Sequence, residues 1–209
     1  MSASELHTFD GEPALAALAW RLDAPLLSAS TAPVGGGIGL REWVVNTQVP
    51  VDYSRRDVAA HIAEVAAVLG LAGPGVGMLT AAEVDLAVAA EDGGVRVEAT
   101  GGPTRPVWAA APADECEAAI APGTINVVVF LPVRHADAAL ANLLCTVTEA
   151  KVQALFEVGV AGTGTASDAV TVLCPASGPE QPFGGPRSEY GAPVARAVHA
   201  ALRSGMTGR

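Results

Sequence analysis

Lysine is almost absent from this sequence. Lys151 is the one lysine among 209 residues, no run of basic side chains occurs, and the formal net charge is −10 at neutral pH. Proteins that bind nucleic acid hold the phosphate backbone mainly with clustered lysine and arginine side chains. The composition therefore argues against a nucleic-acid partner.

Long hydrophobic runs are also missing, although half of the residues are hydrophobic. No stretch reaches the roughly 18 uninterrupted apolar residues that a membrane-spanning helix needs. The first residues, MSASELHTFDGE, have neither the basic nor the apolar region of a secretory signal. We therefore expect a cytoplasmic protein without a membrane partner, and these features leave its oligomeric state open.

Cysteine and the large aromatic residues are scarce. Cys116, Cys145 and Cys174 are odd in number and widely spaced, which is typical of reduced thiols in a core rather than of a disulfide framework. The tryptophans and tyrosines are also expected to pack in the core, with lining of a ligand groove as the alternative: Trp20, Trp43, Trp108, Tyr53 and Tyr190.

Histidines occur at four scattered positions: His7, His61, His135 and His199. No two of them have the i, i+4 spacing with which a helix presents two zinc ligands. We expect His61 on the flank of a helix and His135 at the surface or at the end of an element. The sequence predicts no protein-bound metal.

The first half of the chain carries one clear strand and one clear helix. Residues 41–49, REWVVNTQV, read as a strand that Pro50 ends. An amphipathic helix is predicted over residues 58–69, with Asp57 as its N-cap and Gly70 as its end.

Three short apolar runs follow in the middle of the chain, at residues 84–90, 95–99 and 106–110. The sequence EDGG at 91–94 is typical of a hairpin turn. These runs predict antiparallel strands.

The second half predicts a strand, a helix and a second strand. Residues 124–131, TINVVVFL, are apolar almost without alternation, which indicates a strand covered on both faces. A long helix over about 137–157 and a strand at 168–174 follow, which is typical of a crossover unit. A closing helix is expected near 187–203.

The predicted elements place the protein in the α/β (α+β) class. We expect a single layered domain over residues 1–203, with a mixed central sheet packed by helices, and a disordered tail at 204–209.

Lys151 lies in the centre of the apolar stripe of the predicted long helix. The stripe consists of Leu140, Leu144, Val147, Leu155 and Val158. An ammonium group buried there needs an anionic partner unless it loses its proton or its head reaches solvent. Asp168 is the nearest candidate by topology, whereas Glu149 falls on the opposite side of the helix.

The segment GTGTASD, residues 162–168, crowds small polar residues just before the second strand. Successive N–H groups in a glycine-rich turn can bind an anion or developing negative charge. The same composition also forms ordinary turns, and the lysine of a phosphate-binding loop does not follow. If the segment is a site, its binding residues are Gly162, Thr163, Gly164, Thr165 and Ser167.

Several segments together resemble one family, the adenosylcobinamide amidohydrolases (CbiZ). They are GGGIG (35–39), NTQVPVDY (46–53), GPGVGMLTAAEV (73–84), GTIN (123–126), TEAK (148–151), GTGTASDAV (162–170) and the closing YGAPVARAVHAAL (190–202). The resemblance extends over residues 25–203 and rests on the order of these motifs, which is more specific than any one of them.

The resemblance implies hydrolysis of the amide that joins aminopropanol to the corrin ring in adenosylcobinamide. The products are adenosylcobyric acid and 1-amino-2-propanol, a step of corrinoid salvage for cobalamin biosynthesis. The partner is then a corrinoid small molecule, and no cofactor is implied because the cobalt enters within the substrate. The motifs imply substrate-binding roles for Asn46, Thr80, Thr124 and Asn126.

Amide hydrolysis needs a stabilised oxyanion, an activated nucleophile and a proton for the departing amine. Asn126 with N–H groups of residues 162–165 fits the oxyanion, and Glu149 or Asp168 fits the base, with Lys151 tuning the pair or moving the proton. Water is the preferred nucleophile, since no hydroxyl lies in a nucleophile motif; the hydroxyl candidates are Thr124, Thr148, Thr165 and Ser167.

Two other functions fit the same residues. A corrinoid carrier would use the groove without chemistry, and an amidohydrolase for another bulky amide would keep the site and change the substrate. Turnover after substitution of Glu149, Lys151 and Asp168 separates the carrier from the enzymes.

Overall fold

The structure is a computed structural model that describes residues 4–9, 15–102, 105–112 and 124–207. Within these residues, eight strands form one mixed sheet and three α-helices pack on it. The predicted α/β class is confirmed. No helix in the described ranges is long and apolar enough to cross a membrane.

The strands are β1 (Glu5–Phe9), β2 (Leu15–Ser30), β3 (Gly37–Gln48), β4 (Gly75–Thr80), β5 (Val88–Asp92), β6 (Val95–Thr100), β7 (Asn126–Phe130) and β8 (Ala169–Pro175). The helices are α1 (Val58–Val68), α2 (Asp137–Glu157) and α3 (Gly191–Thr207), with a short 3₁₀ turn at Val84–Leu86.

The sheet has the strand order β4-β3-β2-β8-β7-β6-β5, and β1 pairs with β2. Strands β3 and β4 are parallel and joined through α1; β7 and β8 are parallel and joined through α2. All other pairs are antiparallel. The crossover predicted for the second half is confirmed, and the first half contains a matching one that the sequence pattern did not predict.

Strand β7 contributes to the hydrophobic core on both faces of the sheet. Val127 and Val129 pack with α2 and α3 on one face of the sheet, while Val128 and Phe130 pack with Trp20 on the other. All five residues of β7 are buried, as the unbroken apolar run predicts. A third core cluster lies between α1 and the β2–β3 pair.

Several predicted elements are confirmed with small changes at their ends. Helix α1 begins and ends as expected, and Gly70 takes the left-handed conformation that ends it (φ 63°). The Asp57 side chain, however, makes no cap hydrogen bond and pairs with Arg55 instead. The hairpin between β5 and β6 turns at Gly93 and Gly94, both with positive φ.

Other predictions were wrong. Residues 106–110 form no strand, because only Val107 makes an isolated β-bridge, to Gly164. The closing helix runs over Gly191–Thr207, so residues 204–207 are helical rather than a disordered tail. Strands β1, β2 and β4 were not predicted either. Strand β2 is rich in alanine and leucine and contains none of the β-branched residues that are typical of strands.

Three side chains also lie where we did not expect them. Trp108 and Cys145 are exposed rather than in the core; His135 does lie just before the beginning of α2, as one alternative predicted, but it is fully buried rather than at the surface. Cys174 is a buried free thiol, as predicted, and Cys116 lies outside the described residues.

Candidate active site

A buried ion pair joins α2 to the beginning of β8. The Lys151 ammonium donates a hydrogen bond to Asp168 Oδ2, and the two side chains are 9% and 10% exposed. A charge that is removed from water in this way is tolerated only when it is paired and hydrogen-bonded. The partner inferred for Lys151 from the sequence is therefore the one it has.

Asp168 accepts three further hydrogen bonds. The Ile125 N–H donates to Oδ1 (2.9 Å), the Thr165 N–H donates to Oδ2 (3.1 Å), and the Thr165 hydroxyl donates to Oδ1 (2.5 Å). Each carboxylate oxygen thus receives two donors. The carboxylate is fixed in place between α2, the entry of β7 and the glycine-rich segment, and Thr165 is the partner whose hydroxyl carries a transferable proton.

Gly164 allows the glycine-rich segment to approach this pair. A Cβ at Gly164 would overlap both Asp168 Oδ2 and Lys151 Nζ, so no other residue fits without displacing the ion pair. The Gly164 carbonyl accepts a hydrogen bond from Val107 N–H (2.8 Å), and Thr163 N–H donates to the Val107 carbonyl (2.9 Å). A second segment, residues 105–112, is therefore held against residues 162–164.

Most backbone N–H groups of the predicted anion-binding turn are hydrogen-bonded within the protein. The N–H groups of Gly162, Thr163 and Thr165 donate to Val160, Val107 and Asp168. Gly164 itself is paired with Val107 in an isolated antiparallel β-bridge. At least three of the four backbone N–H groups are therefore engaged within the protein, so this segment offers fewer donors to a ligand than the sequence predicted.

Two asparagines connect the halves of the sheet. The Asn126 amide donates to Asn46 Oδ1 (2.8 Å) and to the Leu79 carbonyl (3.0 Å), and Asn46 donates to the Thr100 hydroxyl (2.7 Å). Asn126 Oδ1 accepts from Ala169 N–H (3.2 Å). All these polar side chains are buried, so β3, β4, β6, β7 and β8 meet at one hydrogen-bond network.

Three residues predicted to bind substrate, Ser167, Thr124 and Thr80, carry hydroxyl groups that differ in their access to solvent. Ser167 is exposed, and its hydroxyl lies 2.9 Å from that of the buried Thr124. Thr80 is buried and accepts a hydrogen bond from Ala82 N–H (3.0 Å). Of these three residues, Ser167 and Thr124 adjoin the Asp168 carboxylate. Ser167 precedes Asp168 in the chain, and Thr124 is the hydrogen-bond partner of Ser167.

Glu149 does not join the ion pair. It is exposed on the outer side of α2, in a groove of about 400 Å³ that Arg187, Arg196 and His199 also line. Thr148 is also exposed, and its hydroxyl donates to the Leu144 carbonyl within the helix. The structure therefore brings together Lys151, Asp168 and Thr165 and separates the first two from Glu149.

Two features of this site escaped the sequence patterns. Thr100 ends β6, and its contact with Asn46 spans 54 positions, so no local pattern signals it. The contact of Val107 with the glycine-rich segment was not predicted either; Val107 lies within residues 106–110, which the sequence analysis read as a strand and which form only this isolated bridge.

The described part of the chain contains no group of side chains that could form a metal centre. No three His, Cys, Asp or Glu side chains are grouped there as a metal ion would require. The groups that are placed to act chemically are a carboxylate, a lysine, hydroxyls and an amide.

Comparisons with known proteins place the chain among relatives. The family described as adenosylcobinamide amidohydrolase matches residues 3–209. A protein of that name from Methanosarcina mazei is 30% identical over 188 residues, 85% of this chain and 89% of the relative. Another, from Halobacterium salinarum, is 31% identical over 183 residues, 83% and 78% of the two chains.

Similarity to a solved structure is weaker. A protein from Pyrococcus horikoshii aligns with 93% of this chain and 76% of its own at 9% identity and a TM-score of 0.45, and neither fold nor function transfers at that level. The match over nearly the whole sequence decides the assignment: this chain belongs to the adenosylcobinamide amidohydrolase (CbiZ) family.

Proposed function

We propose that this protein hydrolyses the aminopropanol amide of adenosylcobinamide and releases adenosylcobyric acid and 1-amino-2-propanol. The observation that carries the proposal is the family match over residues 3–209. Two relatives that bear the name of this activity support it, since each aligns with more than three quarters of its own length.

The geometry supports the same proposal. The motifs by which the sequence resembles the family lie far apart in the chain, yet five of them contribute to two adjoining hydrogen-bond networks. Their contacting groups are Asn46, the Leu79 carbonyl, Asn126, Lys151 and Asp168. Ile125 N–H and Ala169 N–H join the two networks, because they bind Asp168 and Asn126 from neighbouring strands.

Hydrolysis requires a water molecule to add to the amide carbon and the C–N bond to break. In the proposed mechanism, a water beside Thr165 attacks and its proton passes through the Thr165 hydroxyl to Asp168 Oδ1, 2.5 Å away. The proton returns by the same path to the departing nitrogen, so 1-amino-2-propanol leaves as the amine and the acid remains on the corrin.

Lys151 and Gly164 have supporting roles in this mechanism. The ammonium neutralises Asp168 and holds the carboxylate in the orientation that accepts the Thr165 hydroxyl. The Gly164 N–H, next to the ion pair, is the proposed backbone donor for the oxyanion, and the exposed Ser167 hydroxyl lies on the same segment as a contact for the substrate amide. The buried residues Asn46, Thr80, Thr124 and Asn126 hold the surrounding strands.

The protein needs no cofactor in this proposal, because the cobalt belongs to the corrinoid. The pathway role follows from the product. A corrinoid acid is a substrate to which an amino alcohol can be attached again, so the reaction returns a scavenged cobinamide to cobalamin biosynthesis.

The test is incubation of the purified protein with adenosylcobinamide, with and without chelator, and mass-spectrometric detection of both products. Asp168→Asn is expected to abolish product formation, whereas Glu149→Gln, on the outer side of α2, should retain it. Circular dichroism confirms that each variant is folded.

Each outcome bears on a different function. Products from the parent that persist in chelator support the amidohydrolase without a catalytic metal. Tight binding of the corrinoid without products would favour the carrier function. Turnover of other bulky amides but not of cobinamide would favour an amidohydrolase with a different substrate. Loss of activity in Glu149→Gln, with activity kept in Asp168→Asn, would overturn the assignment of the base.

A further inference from the structure

Trp108 differs from the other two tryptophans in its exposure. Trp20 and Trp43 are 1% and 7% exposed, and their indole N–H groups donate to Glu98 Oε1 and to the Gly73 carbonyl, both at 3.1 Å. Trp108 is 54% exposed, and its indole N–H has no acceptor among the described residues. A large aromatic side chain left in solvent with a free donor is typical of a binding surface.

The backbone on both sides of Trp108 is fixed against the glycine-rich segment. Val107 exchanges two hydrogen bonds with Thr163 and Gly164, and Ala109 N–H donates to the Thr163 hydroxyl (2.9 Å). The Trp108 carbonyl accepts from Ala111 N–H (3.1 Å), which closes a turn. The indole is thus held at a defined place on the surface rather than on a free loop.

This place is next to the proposed reaction centre. Gly164, which binds Val107 on one side, is in contact range of Lys151 and Asp168 on the other. A ligand whose reactive amide reaches Thr165 and Asp168 therefore leaves the rest of its mass over residues 105–112.

We propose that Trp108 is a binding surface for the corrin macrocycle of the substrate, an inference that rests on the proposed function. The macrocycle is too bulky to follow its amide into a site built of buried side chains. Its periphery carries methyl groups and primary amides. The indole supplies an apolar face for the methyl groups and an N–H donor for a peripheral amide carbonyl.

The experiment compares steady-state kinetics of the parent with Trp108→Ala, Trp108→Phe and a control, Phe183→Ala. Phe183 is 72% exposed and precedes Gly184, which contacts Ala139 and Thr146 of α2, on the N-terminal side of Lys151 and outside residues 105–112 and 162–168. We expect Trp108→Ala to raise KM about tenfold with kcat within about twofold, since uniform binding is lost. Trp108→Phe should raise KM less, and Phe183→Ala should not change it.

Binding of cobinamide that lacks the adenosyl group identifies the part of the ligand that the indole contacts. Equilibrium dialysis should show the same loss of affinity in Trp108→Ala for both corrinoids. A loss confined to the adenosyl form would overturn the macrocycle contact in favour of the adenine.

Failure of this inference is distinguishable from failure of the proposed function. A parent that turns over adenosylcobinamide, with KM unchanged in Trp108→Ala or raised equally in Phe183→Ala, overturns the role of Trp108 alone. A parent that binds cobinamide through Trp108 but yields no product supports the binding surface and overturns hydrolysis.

Discussion

At the scale of single residues, the ion pair between Lys151 and Asp168 combines a structural and a chemical role. Lys151 lies on the buried face of α2, between apolar residues such as Val147 and Leu155. The free energy of burying its charge is offset only by Asp168, and Asp168 in turn orders the Thr165 hydroxyl. Stability and activity should therefore respond together to changes here.

Lys151→Met should lower the free energy of unfolding by about 3–5 kcal/mol, because it leaves the Asp168 carboxylate buried without its cation. Urea unfolding measures the change. The double variant Lys151→Met/Asp168→Asn has no buried charge and should recover about half of the loss, while both variants remain inactive. Equal stabilities of parent and Lys151→Met would contradict a buried, energetically coupled pair.

Gly164→Ala should reduce turnover at least about tenfold, because the added methyl group displaces Asp168 and Lys151. The matched control is Gly159→Ala, where the methyl meets no atom within 4 Å and only the positive φ of 79° is strained. That control should lose about 1–2 kcal/mol of stability with its kcat retained. If both variants lose kcat alike, the effect comes from the backbone and not from contact with the pair.

At the scale of elements, β7 organises the site. Its residues are buried on both faces, the N–H just before it binds Asp168, and its first residue, Asn126, reaches β3 and β4. The helix that follows it, α2, carries Lys151 to the beginning of β8. One strand–helix–strand unit thus supplies every group of the proposed mechanism.

Asn126→Ala should lower the free energy of unfolding by about 2–4 kcal/mol. It leaves the Leu79 carbonyl and Asn46 Oδ1 buried without a donor. Asn46→Ala removes fewer contacts and should cost less, and Asn142→Ala, at an exposed position of α2, should have no effect. Thermal unfolding ranks the three; an Asn126→Ala protein as stable as Asn142→Ala would mean that the halves are not coupled through this network.

At the scale of the whole molecule, two parallel crossovers share one sheet. The β3–α1–β4 and β7–α2–β8 units are joined where β2 pairs with β8, and buried polar side chains connect them across the core. His135 lies in the connection between β7 and α2, where Tyr190 near the beginning of α3 contacts its ring edge-on.

Stability should decrease in acid partly through His135. Burial lowers the pKa of His135 below its usual 6.5, although a hydrogen bond to the Val133 carbonyl opposes the shift. Below about pH 6.5 the unfolded chain binds this proton more readily than the folded one, so the free energy of unfolding falls as pH decreases; above that pH the group has no effect. His135→Gln should flatten the slope between about pH 5 and 6.5 in urea unfolding.

His61→Gln provides a comparison, since burial also lowers the pKa of His61. His61 is only half-buried and lies against Tyr53, and its removal should flatten the slope less. An unchanged slope in His135→Gln would assign the acid sensitivity to other groups.

The local sequence determined the parts of the fold that local physics controls. The apolar periodicity of residues 137–157 and the unbroken run before it predicted α2 and β7, because side-chain period and burial follow from the backbone geometry of each element. Lys151 could be assigned a partner because a buried ammonium needs one and Asp168 was near in topology. Family membership also followed from the order of the motifs.

Tertiary structure decided what depends on contacts distant in sequence. The apolar stripe of α2 placed Lys151 and Glu149 on opposite sides, but the choice between Glu149 and Asp168 as the candidate base depended on which of them meets Lys151 and Thr165 in the folded chain. The bond between Asn46 and Thr100, the exposure of Trp108 and the burial of His135 follow from how the sheet and loops assemble. A sequence pattern records the local environment of a residue, whereas these features depend on which distant segments become its neighbours.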